Sequence, residues 1–315
     1  MLMTTKDLLN NRLLLTFFIG IFLFFILSPL YGQASITDTT ITSDSLPKTH
    51  FYHKRLAIVG GITFFTYSYV YYYMKTQAWW RDTPVQFHFD QGRDKEYALG
   101  HDKLGHFLCG AIISDRMGSL LAWSGIPKKK AALYGALWSS ATQYVVEIKD
   151  AYAPTYGFSW RDATWGTVGS FLPYLKAKNR FFANTEIKFS YFPRQYGPII
   201  DPLVRKRSAT WHDDYINQTY WFSVNIKDNI RVLRDTKFPD WLNLAIGASL
   251  DQTTNGYGKG NREWYLSLDI DTKRLFKPKR FFWKTIVNSL VYIKIPAPAI
   301  QFGRNVPFKA YPLYF

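Results

Sequence analysis

One cysteine, Cys109, stands among 315 residues, so the chain can form no intramolecular disulfide and cannot hold a cysteine-based metal site. His-x-x-x-His and Cys-x-x-Cys spacings are missing, as are a nucleophile elbow and a phosphate loop, which removes the usual sequence grounds for a zinc enzyme, a serine hydrolase or a nucleotide-dependent enzyme. Acidic residues are scarce: 23 Asp and Glu face 39 Lys and Arg, a formal charge of +16. Such a surface selects anionic partners.

What is abundant is aromatic. Phe, Trp and Tyr make up 18% of the chain, with Tyr and Trp beside apolar runs, as at a membrane interface. Lys6 and Arg12, an apolar run from Leu13 to Leu30, and Gly32-Gln33-Ala34 have the form of a signal peptide over 1–34, cleaved before Ser35. The alternative is an uncleaved anchor. For an exported protein the anionic partners are membrane lipid, lipopolysaccharide or an envelope protein, not nucleic acid. No cysteine adjoins the cleavage site to accept a lipid.

The remaining chain divides into a flexible leader (35–50), a helical domain (51–178) and a β-rich region (179–315). Leu56 to Met74 is almost uninterrupted apolar sequence flanked by Lys54, Arg55 and Lys75, which makes it a transmembrane or half-inserted helix candidate. Residues 79–99 read as a loop. Helices are expected from Leu104 to Trp123, from about Lys129 to Asp150, and around Gly166 and Gly169. Gly110, Ser114 and Gly118 recur every four residues, as do Ala131, Gly135 and Ser139, and such small faces let helix backbones approach closely. Alternating segments at Glu186–Phe192, Thr219–Ile226, Trp241–Leu250, Glu263–Asp271 and Val287–Ile295 predict strands, with Asn255-Gly256 in a turn. Pro296 and Pro298 argue against a central strand there, and five or six strands are fewer than the eight of the smallest outer-membrane barrels. The expected fold is therefore α+β: a membrane-associated helical bundle followed by a small antiparallel β-sheet region.

Polar residues punctuate the helical part: Asp102, Lys103 and His106, then Glu147 and Asp150, then Ser159 and Asp162. Burying such groups alone is costly, so they are expected to converge as one cluster between helices. Simpler roles compete with that expectation. Asp102 suits a helix start, Glu147 and Asp150 suit a solvated helix end, and Ser159-x-x-Asp162 has the form of a capping box.

These residues also carry a resemblance. Asp-Lys-x-Gly-His (Asp102, Lys103, Gly105, His106), Glu-x-x-Asp (Glu147, Asp150) and Gly-Phe-Ser-x-x-Asp (Gly157, Phe158, Ser159, Asp162) with Gly169 downstream resemble the YfiM-like family of predicted periplasmic lipoproteins, a domain of unknown function. The tail runs Gln218-Thr219-Tyr220-Trp221 and Ile295 to Ala299 look like longer members of that family. The chain departs from the pattern in lacking a lipobox cysteine and in carrying Gly166 where the family usually has Asn. A fainter likeness, in the order of the Asp-Lys-x-x-His and Glu-to-Asp elements, is to VanZ-like membrane proteins. The resemblance implies a periplasmic, membrane-associated location in a Gram-negative envelope and no reaction.

Two functional classes follow. One is a structural or interaction protein without cofactor or resident metal, in which the cluster locks the helices. The basic stretch Lys273, Arg274, Lys277, Lys279, Arg280 and Lys284, broken by Pro278 and interleaved with aromatics, would then meet an anionic surface. The alternative is a metal-assisted hydrolase or transferase acting on lipid or cell-wall intermediates. Its candidates are His106, Glu147, Asp150 and Asp162, with Glu147 or Asp150 as base and His106 as ligand or acid.

Overall fold

A computed structural model describes residues 51–76, 78–192, 214–251, 253–254 and 258–314. The expected leader (1–34), the segment 35–50 and the Asn255-Gly256 turn lie outside the described residues. The chain is α+β: helices come first and a six-stranded antiparallel sheet follows.

Helix α1 (His53–Thr76) leads to α2 (Asp102–Trp123), α3 (Lys128–Asp150), α4 (Trp160–Lys178) and the short α5 (Arg180–Ala183). No helix among the described residues is long and apolar enough to cross a membrane, so the transmembrane expectation for 56–74 is not met. Its tyrosines, threonines and glycines dilute the apolar run. α1 docks on α2 through Val59, Met117 and Leu120, and Arg55 donates to the Trp123 carbonyl at 3.1 Å.

Helices α2, α3 and α4 pack against one another along the faces of small residues. A Cβ on Gly110 would collide with the Gly166 carbonyl, and one on Gly169 with the Phe107 carbonyl. Ser139 donates to the Gly110 carbonyl at 2.8 Å, and Ser170 donates to Ser139 at 2.8 Å. Asp115-Arg116, which interrupts the apolar pattern in sequence, does not interrupt the helix. Arg116 is buried, donates to the Asn288 carbonyl at 2.9 Å and lies 5.5 Å from the Tyr292 ring, tying α2 to the sheet region.

The sheet is a meander of β1 (Thr185–Tyr191), β2 (Gln218–Asn225), β3 (Leu242–Leu250), β4 (Arg262–Ile270), β5 (Ala297–Phe302) and β6 (Lys309–Tyr314). Short α6 (Ile226–Asn229) follows β2, while α7 (Thr272–Phe276) and α8 (Phe281–Leu290) lie between β4 and β5. Of the strand expected over Val287–Ile295, the first four residues, to Leu290, end a helix, and Ile293 alone bridges to β1. Val287 and Val291, buried and four residues apart, follow the helical period, which a period-two reading of the same run obscures. The basic stretch, expected as a loop, is likewise two short helices joined at Lys277, whose φ is +40°. Pro298 does occupy an interior strand. It sits at an irregularity in the β5–β6 pairing, where proline is tolerated, and the described ladder to β4 begins at Ala299.

The sheet curls over its polar face. Tyr314 of β6 reaches across to the Trp221 ring at 5.8 Å and to the Thr219 hydroxyl at 3.3 Å on β2. The segment after α8 pairs with the outer edge of β1, where Phe189 donates to the Tyr292 carbonyl and Lys294 donates to Phe189. Gly247 makes room for the Trp221 indole inside the curl, since a Cβ there would stand 2.6 Å from the ring.

Candidate functional site

Four pieces of chain converge where α2 and α4 begin and α3 ends. Lys103, in the first turn of α2, points its ammonium at three carboxylates. It pairs with Asp94, which lies in the turn before α2, with Asp102 at 2.6 Å and with Asp162 of α4 at 2.8 Å. All four side chains are nearly withdrawn from solvent. Asp102 and Asp162 sit in first helical turns, where the unsatisfied backbone N–H groups favour negative charge.

Ser159 caps α4 as its sequence form suggests, its hydroxyl accepting from the Asp162 N–H at 3.2 Å. The reciprocal half of the box is supplied from another helix. The Ser159 N–H donates to Glu147 Oε2 at 3.1 Å, while the Ser159 hydroxyl donates to Asp94 Oδ2 at 2.8 Å. The cap is thereby a joint between α3, α4 and the segment ahead of α2.

His106, one turn after Asp102, stands between Glu147 Oε1 at 3.9 Å and Asp162 Oδ1 at 3.7 Å, with a quarter of its side chain exposed. It is the cluster's opening to solvent. Glu147 is buried rather than at a solvated helix end. Burial, then the neighbouring Asp162 and Asp150, push its carboxyl up to about 10, so that it is neutral at ordinary pH. Burial also raises Asp102 well above the carboxylate range, against the pull of Lys103. Burial would raise Asp162 too, but His106 and Lys103 outweigh it and hold that carboxyl below its usual value. Lys103 is raised by Asp102, Asp162 and Asp94 in spite of burial, which opposes its charge.

Asp150 belongs to the edge of this arrangement. It accepts from the Trp80 indole at 2.6 Å, and burial raises its carboxyl to about 7. Of the residues singled out in sequence, the structure brings together Asp102, Lys103, His106, Glu147, Ser159 and Asp162, with Asp150 beside them. Sequence reasoning missed Asp94 and Trp80, which lie in a stretch read as a loop. The signal available was the run Asp90-Gln91-Gly92-Arg93-Asp94: the Asp90 carboxylate accepts from the Asp94 N–H at 3.2 Å across Gly92, which takes φ +81°.

The basic stretch lies elsewhere, at the end of the sheet where β4 stops. Arg274 is committed to Asp228 at 2.6 Å and Asp271 at 3.1 Å, and Lys277 pairs with Asp240 at 3.1 Å. Lys273 faces Glu186 and Asp271. Lys279, Arg280 and Lys284 make no ion pair with a described acidic residue, and Trp283 and Phe276 beside them are exposed.

The fold and the cluster define an α+β protein whose closely packed helices are joined by a buried polar network. Residues 90–178 match the family model described as Predicted periplasmic lipoprotein (DUF2279). That span contains every member of the cluster from Asp94 to Asp162, and the description accords with an exported, periplasmic, membrane-associated protein. No curated protein and no solved structure gives a match.

Proposed function

We propose that the protein is a structural or interaction component of the envelope, held at a membrane by anionic lipid, with the polar cluster serving as a lock rather than a catalyst. One observation carries this reading. The charge at the centre of the family motif is a lysine already engaged by three carboxylates, and Ser159 is engaged as a helix cap, so these two groups are spent within the cluster. Lys279, Arg280 and Lys284, with Trp283 and Phe276, form the surface suited to phosphate-bearing lipid, each cation contributing about 1 kcal/mol near an anionic membrane. Co-sedimentation with phosphatidylglycerol vesicles at low and high salt tests it. The protein should pellet at low salt and less so at high salt, and Ser at Lys279, Arg280 and Lys284 should weaken pelleting. Arg274 and Lys277 are left intact because they are already paired with Asp228, Asp271 and Asp240. Equal pelleting by both proteins at low salt would contradict the reading.

The enzyme alternative draws on one specific feature. His106, Glu147 and Asp162 each offer a ligand atom, all within 4.8 Å of one another, and His106 is open to solvent. Against it, Lys103 stands beside Asp162 and would repel a cation. Metal content after purification without chelators decides: stoichiometric zinc or manganese, lost in His106→Ala, would favour a metal-assisted hydrolase or transferase.

A further inference from the structure

The sheet is polar within and apolar without. On the concave face, Lys188 donates to Asp269 at 2.7 Å and Ser223 donates to the same carboxylate at 2.6 Å. Asn225 donates to Asn243 at 2.8 Å, and Gln301 donates to Glu263 at 3.0 Å. Lys188 and Asp269 are wholly buried, and burial lowers the neighbouring Lys294 to about 8, with Asp269 opposing and Lys188 adding to the shift. The opposite face carries the apolar side chains. Phe222, Ile246, Leu266 and Ile300 stand in one register row across four strands, and Ile246, Leu266 and Ile300 are each 40% or more exposed. A soluble sheet buries its apolar face and shows water the other. This one is reversed, as in sheets whose outer face meets lipid.

We infer that this convex face is seated in the hydrocarbon of one leaflet of a membrane. Its position in the molecule specifies lipid over another occupant. Along β4 the apolar rows run from Trp264 to Ile270, three steps of two residues, or about 20 Å at the rise of an extended strand. That is shorter than the band of about 25 Å around a spanning barrel, so the face suits insertion without crossing. At the Ile270 end the band meets α7 and α8 with Lys279, Arg280 and Lys284, and also the β2–β3 connection, where Val232 is 82% exposed and Arg231 and Arg234 flank it. Apolar tips interleaved with cations at the border of an apolar band match the layered chemistry of acyl chains beneath phosphates. At the other end, Arg262 donates to the Leu99 carbonyl at 3.1 Å and Tyr220 packs on α2, while at the basic border the helices meet the sheet from the β1 side, Lys176 of α4 pairing with Glu186 at 2.8 Å and Arg116 of α2 donating to the Asn288 carbonyl of α8. The main-chain edge that lipid would leave unsatisfied on β1 is covered by the Tyr292–Lys294 segment.

Site-directed spin labelling tests this. In a Cys109→Ser background, nitroxides are placed by Ile246→Cys, Leu266→Cys and Ile300→Cys, with Lys259→Cys as a reference outside the band. Accessibility to oxygen and to a water-soluble nickel chelate is then compared in buffer and in reconstituted phosphatidylethanolamine–phosphatidylglycerol vesicles. The three outward labels should gain oxygen and lose nickel collisions in vesicles, and the reference should keep its nickel collisions. Unchanged nickel access at the outward labels in protein that pellets with vesicles would overturn the inference while leaving electrostatic docking intact. Low access to both reagents already in buffer would overturn it in favour of a second copy, if spin–spin broadening accompanies it, or of a cover from this chain, if not. A protein that does not associate with vesicles would overturn it as well.

Discussion

Replacing Lys103 by Met tests the lock at its centre. The ammonium faces three carboxylates at contact distance, in side chains that are each about a tenth exposed or less. At about 2.7 Å and an effective dielectric near 20, Coulomb attraction is roughly 6 kcal/mol per pair. Most of that is offset by the desolvation of the buried groups, so the measurable quantity is the penalty for leaving carboxylates buried without their cation, about 3–5 kcal/mol. For a protein of this size that corresponds to a fall in melting temperature of roughly 6–20 °C. The stranded carboxylates can recover part of this by taking protons. The deficit should therefore be largest near pH 8 and shrink toward pH 5, since groups whose folded pKa is raised lose their stabilising proton as pH rises. Thermal unfolding followed by circular dichroism at the two pH values reads both quantities. A variant within about 1 kcal/mol of the parent at pH 8, in the range of exposed ion pairs, would refute the buried lock.

Glu147 carries a second pH signature. Its carboxyl is raised to about 10, so the folded state holds a proton that the unfolded state releases above its ordinary value, and this stabilisation is lost as pH rises toward 10. Between pH 8 and 9.5, above the range in which Asp150 titrates, Glu147→Gln should flatten the decline in melting temperature. An equally steep decline in the variant would mean that Glu147 is ionised in the fold. Gly169→Ala should cost about 1–3 kcal/mol, because the new methyl meets the Phe107 carbonyl across α2 and α4, and urea unfolding that matches the parent would show that these helices are not in close contact.

The helical part was largely legible because its information is local. The small residues at four-residue spacing named the packed faces, and Ser159-x-x-Asp162 named a cap that is present. That Glu147 and Ser159 meet was expected of the cluster, but not that Glu147, from another helix, supplies the reciprocal half of the cap by accepting from the Ser159 N–H. Asp94 escaped notice for the same reason, since no periodicity marks a residue in an irregular turn as the mate of Lys103. In the sheet, the alternation located β1 to β4 but could not tell which face was outward. Period two is the same whether Leu266 or Ser267 faces inward. Pro298 misled because its cost depends on whether a ladder bond is demanded there, which the β5–β6 irregularity decides. The run from Val287 to Ile295 contains both a period of two and a period of four, and the buried pair Val287 and Val291 settles it as helix up to Leu290.

An exported protein held at a membrane of the envelope has a distinct fractionation behaviour. Expression of the full chain in a Gram-negative host, followed by preparation of spheroplasts and protease treatment before lysis and fractionation, tests that directly. The protein should be found in the membrane pellet and be digested by protease added outside the inner membrane. Full-length protein in the soluble cytosolic fraction, protected from that protease, would contradict it.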